Sequence, residues 1–124
     1  MSLDIHQIAE AFSSHRFVVT YPYMADEINW NIVGREELMG REAVIDRCDK
    51  SAKFLETVST TITKLKIIRA ETFVVVEGAA QFQDQENRTS SVASCDVFQF
   101  SDGRLVEITS VSYTHLTLPT NREV

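Results

Sequence analysis

Residues 90–111 read SSVASCDVFQFSDGRLVEITSV, two β-rich runs separated by the turn cluster Ser101-Asp102-Gly103. Gly103 can take the left-handed backbone that a tight turn needs, and Val, Phe, Ile and Thr are prominent in the runs, so the segment predicts an antiparallel hairpin. Period-two spacing places Val92, Ser94, Asp96, Phe98 and Phe100 on one face of the first run. A single carboxylate is thereby set among apolar and aromatic neighbours.

Working upstream, TTITKLKIIRA (60–70) and TFVVVEGAAQFQD (72–84) carry the same β-branched signature, with Asp84 to Asn87 as the next turn cluster. Four consecutive strands joined by short turns predict a meander. The N-terminal half has a different period. Asp4 can cap a helix in which Ile5, Ile8, Ala9 and Phe12 form one stripe, ending near Ser14. GREAVIDRCDKSAKFLE (40–56) offers Gly40 at an N-cap and Val44, Cys48, Ala52 and Leu55 on one helical face. Between the helices, Val18 to Tyr21 favour a strand by propensity but Pro22 interrupts it, and Ile28 to Val33 is the better strand, with Asp26 and Glu27 at its start. Helices first and a meander after them predict an α+β fold: a curved antiparallel sheet with the N-terminal helices on its concave face.

The chain has 124 residues, 44% hydrophobic and 24% charged, which fits one soluble domain, and no apolar run approaches the roughly 20 residues of a membrane span. The start, MSLDIHQIAEAF, lacks a basic segment followed by an apolar one, so a cytoplasmic location is expected. Cys48 and Cys95 are too few for a disulfide framework and read as small hydrophobes. A net charge of -6 disfavours nucleic acid as a partner. Asn87-Arg88-Thr89, though a glycosylation sequon, reads as a turn.

The element order and YPYMADEINWNIVGREELMGREAVID (21–46) together resemble the SnoaL-like branch of the nuclear transport factor 2-like superfamily. The features that carry the resemblance are Tyr23, the acidic pair Asp26-Glu27, Gly34 and the helix start Gly40-Arg41-Glu42-Ala43-Val44. The later Phe98-x-Phe100 followed by Asp102-Gly103-Arg104 also resembles that family's final hairpin. The resemblance covers Ile5 to Ser110 and implies a cone-shaped α+β fold. It implies no single activity, because the superfamily includes isomerases, cyclases, dehydratases, epoxide hydrolases and proteins without chemistry.

Beyond Ser110 the resemblance stops. Val111 to Thr120 translate a base sequence that resembles a transposase-type sequencing adapter, so residues 1–110 are expected to form the domain and 111–124 an artefactual tail. Val111, Tyr113 and His115 nevertheless extend a period-two pattern, so a few of these residues are expected to pair as strand until Pro119 ends it. His115 is given no function. His6 and His15 then remain, neither at metal-ligand spacing, and neither a metal nor another cofactor is expected.

Within a fold of this kind the concave face and the helices enclose an apolar pocket. Asp96 is the leading candidate for catalysis: burial without a cation would keep it protonated, able to donate to a developing oxyanion or act as general acid. By the resemblance, Asp96 falls where ketosteroid isomerases place an oxyanion-hole aspartate, a buried acid kept neutral so that it can donate a hydrogen bond. The same alignment puts Asn31 where those enzymes carry their general base, and an amide cannot take a proton from carbon. The first helix also supplies no tyrosine. The alternative for Asp96 is a satisfied buried polar group bonded to Tyr23, Trp30 or backbone.

Trp30, Tyr21 and Tyr23 are candidates to stack on a planar ligand, or to fill the core. Asp26 is a possible base or a boundary residue solvating a strand end, and His15 a proton-transfer group or a cation on a helix C-terminus. Substrate-binding candidates are therefore Trp30, Tyr23, Asn31, Asp26, His15 and Phe98. Two functions stay open: a protein binding a small, largely apolar organic molecule with acid/base chemistry of isomerase, cyclase or dehydratase type, or a non-catalytic homodimeric binding or assembly module whose own aromatics fill the pocket.

Overall fold

The computed structural model describes residues 2–116. Helix α1 (Ile5–Ser13) opens on a capping box, with the Asp4 carboxylate accepting from the Gln7 N–H at 2.8 Å and the Gln7 side chain accepting from the Asp4 N–H at 2.9 Å. Its stripe buries Ile8, Ala9, Ala11 and Phe12. The ambiguous stretch is neither strand nor loop: Val18–Tyr23 forms a short 3-10 helix, which holds Pro22 without needing its missing N–H in a ladder.

Strand β1 (Met24–Ile32) follows, starting four residues earlier than Ile28, and then β2 (Glu36–Met39), which sequence patterning did not reveal. Helix α2 (Arg41–Leu55) starts after Gly40, whose positive φ of 93° serves a sharp entry with no side-chain cap. The meander comprises β3 (Ser59–Ala70), β4 (Phe73–Gln83), β5 (Thr89–Ser101) and β6 (Arg104–Leu116).

The six strands form one curved, unclosed sheet in the order β2-β1-β6-β5-β4-β3. Neighbours pair antiparallel except β1 with β6, which run parallel and set Trp30 beside Ile108. This α+β architecture is the expected cone. Between β5 and β6 lies a two-residue turn with Asp102 at φ 52° and Gly103 at φ 77°, both in the left-handed region that a type I′ hairpin requires. Asn87 likewise takes φ 65° in the turn after β4, as its sequon stretch suggested. Strand β6 continues through Val111 to Leu116, paired with β5 as far as Ser90; Pro119 and the remainder of the expected tail lie outside the described residues.

The core forms where α1 and α2 cover the concave face. Val74, Val76, Phe98, Phe100, Ile108, Ile28 and Trp30 meet Ile8, Phe12, Val44 and Cys48. Phe12 is the hub, edge-on to Phe17, Trp30 and Phe98 at centroid distances of 5.2, 5.1 and 5.6 Å. Cys48 is fully buried, as expected for a small hydrophobe, with its thiol pushed up to about 12 chiefly by burial, while Cys95 on the opposite face is half-buried. Phe98 has no exposed surface and sits in this core outside the cavity described below. Phe98→Ala should therefore destabilise the fold by about 3–5 kcal/mol in urea unfolding; a loss below about 1 kcal/mol would contradict a core role.

Candidate functional site

Alternation along β5 and β6 builds the site. Asp96 pairs across the ladder with Ser110, so both side chains stand on the concave face one step from the Phe98–Ile108 pair. Ser13, one helical turn after Ala9, comes down from α1 and donates its hydroxyl to Asp96 Oδ2 at 2.8 Å. Trp30 Nε1–H donates to Ser110 Oγ at 2.9 Å. Helix, central strand and the parallel-paired β1 thus converge on one carboxylate.

A cavity of about 350 Å3 opens here between the sheet and both helices. Phe12, Phe17 and Trp30 give it buried aromatic walls, and Asp96 is the only carboxylate among its described lining residues. Burial pushes the Asp96 carboxyl above its ordinary value; the Ser110 and Ser13 hydroxyls and the nearby His15 charge oppose that only in part. Because no cation pairs with Asp96 among the described residues, its proton is retained to higher pH than in an exposed aspartate.

His15 reaches the same cavity by an unusual backbone. Helix α1 ends in a Schellman turn: His15 N–H bonds to the Phe12 carbonyl at 3.1 Å and Arg16 N–H to the Ala11 carbonyl at 2.8 Å. His15 occupies the left-handed position of that turn, φ 73°, where glycine is the usual residue. Its ring leans against Phe17 and Phe82, with centroids at 5.9 and 6.2 Å. Burial lowers the imidazole pKa, and the Asp96 charge raises it by less. Environment therefore moves the acid up and the base down, which narrows the gap between them and suits proton exchange with a bound molecule.

Of the residues singled out from sequence, Asp96, Trp30 and His15 line the cavity together. The others do not. Asn31 is displaced by the strand period: Trp30 and Ile32 face inward, so Asn31 points to the opposite face, where it pairs with Glu37 and Thr109. Tyr23 sits outside the lining, its hydroxyl accepting from the Leu3 N–H at 2.9 Å. Asp26 is exposed near the start of β1, as a solvating boundary residue would be. Tyr21 donates instead to Asp49 at 2.6 Å, and its ionisation is pushed far up by burial and that bond. Sequence reasoning missed Ser13 and Ser110, although the first continues the face of Ala9 and the second the period of Ile108. It also missed Arg35, Arg47, Lys50 and Phe54, which line the cavity and are exposed or half-buried at its mouth.

A cone-shaped α+β shell with a half-buried acid and a neutral-leaning imidazole in one cavity defines a small cavity protein of the nuclear transport factor 2 type. The chain belongs to the SnoaL-like domain family, which matches residues 5–108. An NTF2-like protein of unknown function from Cytophaga hutchinsonii superposes with a TM-score of 0.76 at 32% identity, over 86% of this chain and 93% of that one. An NTF2-like protein from Burkholderia xenovorans gives 0.67 at 18% identity over 88% and 87%, and an LEH-like epoxide hydrolase from M. tuberculosis gives 0.65 at 17% over 87% and 81%. At such identities these two show the fold alone. No curated protein matches the chain significantly. No helix among the described residues is long and apolar enough to cross a membrane.

Two measurements follow from this geometry. If the turn at His15 is strained and its ring is held for the cavity, His15→Gly should be more stable than His15→Ala by about 1 kcal/mol, since both lose the imidazole but only glycine relaxes at φ 73°. Alanine equal to glycine in denaturant unfolding would refute the strain. For Asp96 the folded pKa lies above the value of 3.8 from which it is shifted, so its stabilising proton is fully present below pH 3.8 and is lost as pH rises through the folded value. The unfolding free energy of the wild type minus that of Asp96→Asn should accordingly fall as pH rises from about 4. His15 acts with the opposite sign: its contribution is full above pH 6.5 and is lost as pH falls through the lowered folded value. A wild-type minus D96N difference that rises with pH would contradict a raised Asp96.

Proposed function

We propose that this chain binds a small, largely apolar organic molecule and carries out acid/base chemistry on it, of isomerase, cyclase or dehydratase type, with Asp96 as the group that exchanges the proton. The observation that carries the reading is the Asp96 carboxyl, buried against Ser13 and Ser110 at an aromatic-walled cavity of about 350 Å3, a volume within the range of ligand sites. In its neutral form Asp96 donates to an oxygen on which charge develops; His15, whose protonated form burial disfavours, is the second group in the cavity able to take a proton. Trp30 positions Ser110, and through it the carboxyl, by its indole hydrogen bond.

An assembly module with a pocket filled by its own aromatics would leave no such space, which favours the ligand-binding reading. A homodimer is compatible with it: the face of the sheet away from the helices presents Ile68 at 50% exposure beside Val75 and Val97. Membership of the SnoaL-like family and a net charge of -6 support a small organic partner over nucleic acid, and a cytoplasmic location remains part of this reading. Residues 111–124 are kept in it as an adapter-derived tail, so Ser112, Tyr113 and His115 receive no role although Ser112 borders the cavity.

Thermal melts against steroids, polyketide-like aromatics, terpenoid epoxides and aromatic carboxylates should give a concentration-dependent rise for one class. On a turned-over member of that class, D96N should lose about 10²–10⁴-fold in kcat with KM nearly unchanged. Unchanged turnover would remove Asp96 from the chemistry, and no shift with any class, together with a stable dimer, would return the assembly module.

A further inference from the structure

The charge of the cavity mouth differs in sign from that of the molecule. The chain as a whole carries -6, yet Arg35, Arg47 and Lys50 line the opening, and among the described residues no carboxylate lines the cavity other than Asp96. Lys64 also borders the cavity, but its ammonium turns to Glu77 at 3.4 Å and so does not add to this group.

Two of the three cations make ion pairs and the third makes none among the described residues. Arg47 spends Nε on Glu36 at 3.0 Å and Nη1 on Ser51 Oγ at 2.9 Å, which fixes the plane of the guanidinium and leaves Nη2 without a partner among the described residues. Lys50 pairs with Asp46 at 3.2 Å, one turn earlier on α2, with both side chains about two-thirds exposed. Arg35, in the turn between β1 and β2, makes no ion pair among the described residues and is exposed. Solvent-exposed pairs of this kind contribute little, so an incoming anion can take these donors at small cost. Beside them Phe54, 61% exposed, offers an apolar surface at the mouth with nothing packed over it among the described residues.

The rest of the lining is mainly aromatic and aliphatic, with His15, Ser51, Ser94 and Ser112 among it, and includes the Ser13, Ser110 and Asp96 group. We propose that the cavity selects an amphipathic anion: a molecule with an aromatic or alicyclic body, a carboxylate or similar monoanion held at the mouth by Arg47, Arg35 and Lys50, and an oxygen function directed to Asp96. This rests on the small-molecule reading above and narrows it, since a purely apolar ligand leaves the three mouth cations unused. Arg47 is the principal specificity determinant, because its plane is fixed by Glu36 and Ser51 while one nitrogen remains free for the ligand. The ligand carboxylate accepts from Nη2, and Arg35 and Lys50 supply attraction that salt screens.

Matched pairs of probes separate this inference from the reading beneath it. Naphthalene-2-acetic and biphenyl-4-acetic acids and their primary amides have nearly the same shape and differ in charge at pH 7.5. By titration calorimetry each acid should bind about tenfold or more tightly than its amide at low salt, and the preference should shrink in 0.5 M NaCl, on the order of one charge-assisted contact. In the Arg35→Gln, Arg47→Gln double variant the preference should fall to within about threefold through loss of acid affinity, with the amide still bound about as tightly as before, which reports an intact cavity. Acid and amide binding equally well would overturn the anion selection and leave the small-molecule reading standing. Binding by neither would overturn the anion selection, with the small-molecule reading decided separately by the thermal melts, and an acid preference that survives the double variant would overturn the assignment to Arg47 and Arg35.

Discussion

Everything in the site depends on the register of β5 against β6. The two-residue turn at Asp102 and Gly103, left-handed at both positions, starts the ladder at Ser101–Arg104 and Phe100–Leu105, and an irregularity between Gln99 and Phe100 then shifts it by one residue. Turn and shift together set Phe98 opposite Ile108 and Asp96 opposite Ser110, all four on the concave face. A slip of one residue would turn Asp96 and Phe98 to the outer face and bring Cys95 and Val97 inside, exchanging a carboxylate and a core aromatic for a thiol and a valine. The apolar gain of burying Phe98, Ile108 and Leu105 therefore holds Asp96 in a place that it would not choose by its own solvation. A carboxyl gains nothing from this burial; it is carried there by its neighbours in the strand.

The same one-sided burial decides which features were legible in the sequence. The meander, its turns, both helices and the facing of Asp96 could be read because period-two and helical stripes report directly on a sheet with one buried face. The first strand was read less well, and the reason is physical. It pairs parallel with β6, a long-range contact that no local pattern encodes, and β2 has only four residues, mostly exposed, with no alternation to display. Asn31 shows the limit of a resemblance: it gives a place along the strand, but alternation sets the face, and Trp30 and Ile32 hold the inward positions on either side of it. In the stretch before β1, propensity favoured a strand and Pro22 decided otherwise, leaving a single 3-10 segment. Ser13, Ser110 and the mouth cations were invisible for another reason. Their importance comes from convergence of three elements, and a serine or lysine has the same local signal wherever it lies.

Two features of the cavity cost stability and are kept. His15 stands in a left-handed turn that glycine would occupy without strain, and Asp96 is half-buried without a counter-charge. Either could be relieved by one substitution, to glycine or to asparagine, with the hydrogen bonding of the surroundings largely preserved. Neither makes large apolar contacts in return: the His15 ring has only tilted contacts with Phe17 and Phe82, and Asp96 has the Ser13 and Ser110 hydroxyls. Local rules broken at two neighbouring positions of one cavity, while the surrounding core obeys them, are what the proposed acid/base reading predicts.

The cations at the mouth add, on the proposed reading, a constraint on what can enter. Burial works against the charged form of both Asp96 and His15, so a ligand that carries its charge at the mouth does not have to desolvate it beside them. An anion held at the mouth remains partly in water, where its desolvation cost is small, while its body replaces water against Phe12, Phe17 and Trp30. Placing the charge at the rim and the proton-exchanging pair inside separates binding from chemistry. An ionised Asp96 would repel an incoming anion through the same cavity, and burial, by favouring its proton, works against that repulsion. The raised acid on the proposed reading thus serves entry of the ligand as well as proton transfer, and both depend on the hairpin register that holds Asp96 on the concave face.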